Sequence, residues 1–383
     1  MKILIFSTAY LPFIGGAELA VKEITDRIPD VSFALITARF TRSVPARERI
    51  GNVDVYRVGF GTSFDKWLLP WLGLRKAKEL ERQGRFDGVW SMMASQASIS
   101  ATWFKELHQD KKLVLTLQEG DEEAHLRRYV LGNDFLYQLF IRSWHIAVFK
   151  QADVITAISN YLADRARRNS SAKVEVIPNG VNVEKFKNQN SKIKIEELKK
   201  RLHLKPEDRV IITTSRLVEK NGVGDIIESL RHLPNNIKLI ICGNGVLEAS
   251  LKCKVESLKL TGRVIFLGFV PHGELPQYLH ASDVFVRPSL SEGFGSSFVE
   301  AMAAGLPVIA TPVGGIQDFL TDAETGLFCE VQNPKSIAEK IQLLLSDGVL
   351  RNRVIDNAGK MVQERYEWQG IAEKMKNALT GSM

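Results

Sequence analysis

Short apolar runs alternate with longer stretches of helical period along almost the whole chain. Ile3 to Ser7, Val31 to Thr37, Val53 to Val58, Gly88 to Ser91, Leu113 to Leu117, Val154 to Ala157 and Val174 to Ile177 have the length and apolar character of strands buried on both faces. Between most of them lie segments such as Ala17 to Arg27 and Ala94 to His108, where apolar residues recur at helical spacing. This alternation predicts a mostly parallel sheet covered by helices on both faces. The rhythm breaks after Ile177. Pro178-Asn179-Gly180 signals a turn, and a Lys/Asn-rich stretch, Asn188 to Lys200, follows it. A second series then opens, with strands at Val210 to Thr214, Lys238 to Cys242, Val264 to Leu267, Val284 to Arg287, Val308 to Ala310 and Leu327 to Cys329. The pattern therefore predicts an α/β protein of two Rossmann-like halves joined near residues 178 to 207. A last helical pattern, Tyr366 to Leu379, carries Trp368 near its start.

Length and composition agree. A chain of 383 residues is too long for one ordinary core, and 45% hydrophobic with 25% charged residues excludes a disordered chain. No run of about 18 apolar residues occurs, so no transmembrane helix is expected. The opening MKILIFSTAYLPFIGG resembles a secretory leader in its apolar run. It ends in Gly-Gly before an amphipathic helix and lacks a small-residue cleavage site, so it reads as a first strand. The net charge of +7 suits an acidic ligand, an anionic membrane surface or nucleic acid without choosing between them. Basic clusters at Arg165, Arg167 and Arg168 and at Lys192 to Arg201 carry no nucleic-acid signature, so no nucleic-acid partner is expected. Cys242, Cys253 and Cys329 are odd in number and form no CxxC, which implies neither a disulfide framework nor a zinc site. A reducing, cytoplasmic setting is the simplest.

In doubly wound sheets, ligands bind beyond the carboxyl ends of the strands, so the loops after strands hold the candidate chemistry. The first is Tyr10-Leu-Pro-Phe-Ile-Gly15-Gly16-Ala17-Glu18. Paired glycines before a helix let backbone approach a ligand, and the helix N-terminus favours an anion; a tight turn is the plain alternative. The loop is not GxGxxG, and the second strand ends Thr37-Ala38-Arg39 without the acid that would hold an NAD ribose, which argues against hydride transfer. The second loop carries Arg216 and Lys220, a planar fork and a point charge that can reach one diphosphate; alone they read as a solvated pair. The third runs from Pro288 to Met302 and holds Glu292, Gly293, Phe294, Gly295, Ser296, Ser297 and Glu300. Ser297-x-x-Glu300 is a capping-box pattern, so Glu300 could simply close a helix N-terminus. Glu292 has no such explanation. One carboxylate beside sugar hydroxyls and one beside a ribose diol suit a sugar nucleotide, with the helix N-terminus between them suiting its phosphates.

Glu292 to Glu300 resembles the E-x7-E motif of glycosyltransferase family 4, a family of retaining enzymes with the GT-B fold. The resemblance extends to Gly15-Gly16, Arg216 with Lys220, Cys242-Gly243-Asn244-Gly245, Gly268-Phe269-Val270, Ala303 to Thr311, Gly314-Gly315 and Thr325-Gly326-Leu327. It covers the second half nearly end to end, and the first half in its opening loop and in Ile177 to Val181. It implies two Rossmann-like domains facing across a cleft: residues 1–185 binding acceptor, residues 186–365 binding donor, and a helix at about 366–383 crossing back to the first. Glu300 would hold the ribose, and Glu292 with the backbone of Phe294 and Gly295 the donor sugar. Arg216 and Lys220 would bind the diphosphate, aided by Gly15 and Gly16, with Gly243 and Val270 in the donor site. Arg216, Lys220 and Glu292 would be the catalytic set.

The implied donor is a nucleotide-diphosphate hexose, UDP favoured and GDP next, and the acceptor a glycan or a lipid-linked glycan. No cofactor or metal is expected, because no DxD occurs and Asp121-Glu122-Glu123 reads as a solvated helix start. The family often places a histidine near the donor sugar after a late strand of the first domain. Here Gln118, followed by Glu119, occupies that place, and with Tyr10 these are the acceptor-side candidates. Aromatic and basic residues mix at Lys66 to Lys76 and at Phe135 to Lys150, which makes an anionic membrane surface a candidate partner. A non-catalytic nucleotide-sugar binder of the same fold is the alternative.

Overall fold

The computed structural model of the chain describes residues 1–13, 15–118, 143–187 and 192–381. The chain divides into two compact units, Met1–Asn179 with Trp368–Met383, and Gly180–Glu367.

The strands of the first unit are β1 (Lys2–Phe6), β2 (Ser32–Ala38), β3 (Arg47–Ile50), β4 (Val53–Val58), β5 (Gly88–Met92), β6 (Lys112–Leu117), β7 (Val154–Ala157) and β8 (Lys173–Val176). They form one sheet in the order β3-β4-β2-β1-β5-β6-β7-β8, parallel except where β3 meets β4. The alternation of side chains explains its layers. Ile3 and Ile5 point into a core shared with the helices Gly16–Asp26 and Trp368–Thr380, while Leu4 and Phe6 join a second core under Asp65–Gln83 and Gln96–Leu107. Trp368, Ile371, Met375 and Leu379 form the buried stripe of the last helix. Lys112 Nζ fastens that helix by donating to the carbonyl of Ala378 at 2.6 Å.

The second unit contains β9 (Arg209–Thr214), β10 (Ile237–Cys242), β11 (Val264–Gly268), β12 (Val284–Arg287), β13 (Val308–Ala310) and β14 (Leu327–Phe328). The sheet is parallel, in the order β11-β10-β9-β12-β13-β14. Chain direction across the sheet reverses between β9 and β12, which pair through Val284 with Ile211 and Phe285 with Ile212. The loops after these two strands therefore leave the same sheet edge side by side, at the point where doubly wound sheets hold ligands.

Two differences from the sequence reading have physical causes. Strand β3 was not expected, because Arg47-Glu48-Arg49-Ile50 lacks an apolar run; it is an exposed edge strand held by antiparallel pairing with β4. The chain enters the second unit at Gly180, where residue 186 was expected. The helix Val183–Lys187 belongs there because Val183 N donates to Glu367 Oε2 at 3.1 Å and Lys187 Nζ to Gln363 Oε1 at 3.2 Å.

Candidate functional site

The second unit brings most of the expected residues together. The Arg216–Lys220 loop is bound to the loop after β12 by backbone: Leu290 N donates to the carbonyl of Lys220 at 2.7 Å. Gly222, at φ +67°, packs so tightly that a Cβ there would lie 2.1 Å from the carbonyl oxygen of Pro288. Only glycine permits both that conformation and that approach. The loop after β13 closes the other side, with Gly315 N donating to the carbonyl of Glu292 at 3.0 Å.

Arg287, the last residue of β12, lies at the centre of this arrangement and was not singled out in the sequence. It is buried and forms an ion pair with Glu292 through Nη2. Nη1 donates to Ser297 Oγ at 2.7 Å, Nε to Ser289 Oγ at 3.2 Å and Nη2 to Asn221 Oδ1 at 3.4 Å. Asn221 in turn donates to the carbonyl of Arg216 at 2.6 Å. Burial pushes the Arg287 guanidinium down to about 10, with Arg216 adding to the fall and Glu300 opposing it. One buried cation thus links the Arg216–Lys220 loop to the Glu292 loop.

This corrects two expectations. Glu292 does have a structural partner, Arg287, and also accepts from Gly293 N at 3.1 Å. The capping-box alternative fails. The helix runs Ser296–Ala303 from an N-cap at Gly295 with no side-chain cap, Ser297 is engaged by Arg287, and Glu300 turns to His272 instead. An uncapped helix N-terminus favours an anion. Phe294 is a core residue, packed on Phe319 and Tyr366 at 5.5 and 5.6 Å, so only its backbone is available to a ligand. Gly295 sits at φ +93°.

Beside these loops is a cavity of about 210 Å³ lined by Thr214, Ser215, Arg216, Gly243, Phe269 and Val270, among others. The Thr214 and Ser215 hydroxyls are buried and make no hydrogen bond among the described residues. Buried polar groups without partners are unusual and call for one, such as a ligand. Gly243 is required here: at φ +138°, a Cβ would lie 1.9 Å from the carbonyl oxygen of Ser215. The volume is below the roughly 300–1,000 Å³ of whole-ligand pockets, so the cavity suits one portion of a larger molecule.

The first unit holds the remaining candidates. Gly15 is the N-cap of the helix Gly16–Asp26. The carboxyl of Glu18 folds back onto this end; burial raises its pKa, while the backbone N–H groups of Glu18 and Gly15 pull the other way. Gln118 does not present a free amide. Its Nε2 donates to Asn179 Oδ1 at 2.9 Å and its Oε1 accepts from Asn179 Nδ2 at 2.8 Å. A Cβ at Gly16 would lie 3.9 Å from that same Nδ2, so Asn179 joins the two candidate segments. Tyr10 is packed in the core at 1% exposure, burial raises the pKa of its phenol, and its hydroxyl makes no hydrogen bond among the described residues. Glu119 and the Asp121 to Glu123 cluster lie outside the described residues.

Comparison with known proteins gives the family and the fold. Residues 14–185 match the family model described as Glycosyltransferase Family 4, and residues 194–361 match Glycosyl transferases group 1. An uncharacterized glycosyltransferase of Methanocaldococcus jannaschii is 33% identical over 98% of this chain and 97% of its own length. A GDP-mannose-dependent alpha-(1-6)-phosphatidylinositol monomannoside mannosyltransferase of Mycobacterium tuberculosis is 30% identical over 60% of this chain and 62% of its own. Among solved structures, Anabaena HepE in complex with UDP-glucose covers 100% of both chains at a TM-score of 0.80 and 20% identity, a likeness of fold.

Proposed function

The chain belongs to glycosyltransferase family 4, with the GT-B fold, and from that premise we propose that it moves a hexose-type sugar from a nucleoside-diphosphate donor onto a glycan or lipid-linked acceptor, with retention, in surface polysaccharide or glycolipid synthesis. The observation that carries this reading is the stitched pair of loops at the β9/β12 reversal, which places Arg216, Lys220, Glu292 and the helix start at Ser296 on one sheet edge.

The donor is read onto this edge as follows. The base enters the cavity beside Val270, where the hydroxyls of Thr214 and Ser215 await partners. Glu300 takes the ribose diol. Arg216, Lys220 and the helix N-terminus meet the diphosphate, and Glu292 with the backbone of Phe294 and Gly295 meets the sugar. As the glycosidic bond breaks, its electron pair goes to the phosphate oxygen, and prearranged cations lower the barrier by meeting that charge. The acceptor hydroxyl attacks the anomeric carbon from the face the phosphate leaves, and the departing phosphate takes its proton. The charge is met without a metal, so EDTA should leave the rate unchanged.

UDP is the first candidate and GDP the second; HepE is known with UDP-glucose and the mycobacterial relative uses GDP-mannose. The test is thermal shift against UDP, GDP and ADP, with Glu300→Ala alongside. A ligand at ~100 times its dissociation constant adds about 2.7 kcal/mol. One nucleotide should raise the wild-type midpoint by a few degrees and leave the variant unmoved. No shift with any nucleotide would sink the donor site. Sugar release or transfer from the matching donor then separates an enzyme from a non-catalytic binder.

An anionic membrane surface is the proposed setting of the acceptor. On the first unit Phe60 is 68%, Phe64 61% and Trp71 55% exposed, with Lys66 over the ring of Trp67 at 5.4 Å. Aromatic and basic groups mixed in this way suit a headgroup boundary. No helix among the described residues is long and apolar enough to cross a membrane.

A further inference from the structure

Glu300 is 8% exposed, and a carboxylate so buried needs a donor. Its Oε1 lies 2.9 Å from His272 Nε2, and His272 Nδ1 lies 2.9 Å from Lys185 Nζ. An ammonium group has only protons to give. Nδ1 must therefore accept, which puts the ring proton on Nε2, and Nε2 donates to Glu300. The chain of bonds has one direction, from Lys185 through His272 to Glu300. It joins three separate segments of the second unit: the helix Val183–Lys187, the loop after β11, and the helix Ser296–Ala303.

The imidazole is held in plane as well. It meets the ring of Phe186 edge-on at 5.7 Å, and Phe186 is fully buried. Lys185 is placed by its own backbone, whose N–H donates to Asn182 Oδ1 at 2.9 Å. One oxygen of Glu300 is thus fixed by a charge-assisted bond. Oε2 has no hydrogen-bond partner among the described residues, and Oε1 keeps a second acceptor direction. A carboxylate clamped in this way presents two oxygens at a set angle, which is what two neighbouring hydroxyls require.

We propose that His272 and Lys185 are positioning residues that hold Glu300 in the orientation that accepts the ribose diol of the donor. This rests on the reading of Glu300 as the ribose ligand, and it adds two residues that neither the sequence motifs nor the family resemblance marked.

The test pairs UDP with 2′,3′-dideoxyuridine diphosphate (and GDP with its dideoxy form, should guanine be the base), measured by calorimetry on the full chain. The variants are His272→Leu, His272→Gln and Lys185→Leu. Wild type should prefer the ribo form by about tenfold or more, the worth of a charge-assisted bond. His272→Leu should bind the ribo form about tenfold more weakly and the dideoxy form as wild type does, so the preference collapses. His272→Gln should recover most of it, because its amide can give a proton to Glu300 and accept one from Lys185. Lys185→Leu should fall between. Equal weakening of both nucleotides in His272→Leu, or an undiminished preference, would overturn the proposal while leaving Glu300 on the ribose. A wild type that does not discriminate would overturn both.

Discussion

Replacing Arg287 by Met tests whether one buried guanidinium organises the donor edge of the second unit. The substitution keeps most of the side-chain volume and removes the charge. It strands the Glu292 carboxylate, whose side chain is 15% exposed, and it leaves Ser297 Oγ without its 2.7 Å donor. Breaking a buried pair by removing one partner costs about 3–5 kcal/mol, chiefly through the charge left behind. The longer bonds to Ser289 and Asn221, at 3.2 and 3.4 Å, add little. For a unit of this size each kcal/mol moves the midpoint by roughly 2–4 °C, so a fall of about 6–20 °C is expected.

The molecule supplies its own control. All six tryptophans, Trp67, Trp71, Trp90, Trp103, Trp144 and Trp368, belong to the first unit. Tryptophan fluorescence therefore follows that unit, while far-ultraviolet circular dichroism follows both. Arg287→Met should lower the transition seen by dichroism and leave the fluorescence transition nearly in place. Arg287→Met with Glu292→Gln should recover at least half of the loss, because the stranded charge is gone. The reasoning fails if Arg287→Met costs less than about 1 kcal/mol, below the range for a broken buried pair, or if the double variant is no more stable than the single one.

Lys220→Ala should lower turnover roughly 10²–10³-fold with little change in melting, and an unaltered turnover number would remove Lys220 from catalysis. Glu18 has a raised folded-state pKa, from burial first, so its contribution is fully present below the unfolded value and lost as pH rises through the folded one. Glu18→Gln should therefore melt higher than wild type at pH 8, with the gap closing by about pH 4; equal gaps at both would count against a buried carboxylate there. Burial pushes the thiols of Cys242 and Cys329 up to about 12, whereas Cys253 is exposed, so native protein should titrate one fast thiol with a disulfide reagent and three in denaturant. Acidic liposomes at low salt should sediment the protein and release it at high salt; no binding would remove the membrane from its partners.

The strands were legible because most are buried on both faces, which forces continuous apolar runs such as Ile3 to Phe6. Strand β3 was not, because its residues are chosen for an exposed edge. The two loops that meet at the β9/β12 reversal could be named from glycines and charges after strands, and strand order then places them together. The burial of Tyr10 was not legible, because only packing shows an aromatic beside a loop of Pro and Gly in the core. His272 and Lys185 carried no signal at all. They act on Glu300 through side chains distant in sequence, and no local pattern encodes such contacts.

Arg287 was hidden for a different reason, and that reason says something about the site. It closes an otherwise apolar strand, Val284-Phe285-Val286, where the pattern asks for another hydrophobic residue. The fold would accept one, since replacing a whole buried ion pair by apolar groups is often neutral or better. Burial pushes its guanidinium down to about 10, with Arg216 adding to the fall and Glu300 opposing it. A buried cation that the core does not need is best explained by what it orders: Asn221 behind Arg216, Ser297 at the helix start, and Glu292. We infer that a Met at 287 paired with an apolar residue at 292 would fold with nearly wild-type stability and bind the nucleoside diphosphate poorly. Wild-type affinity in that variant would mean that the cluster serves the core after all.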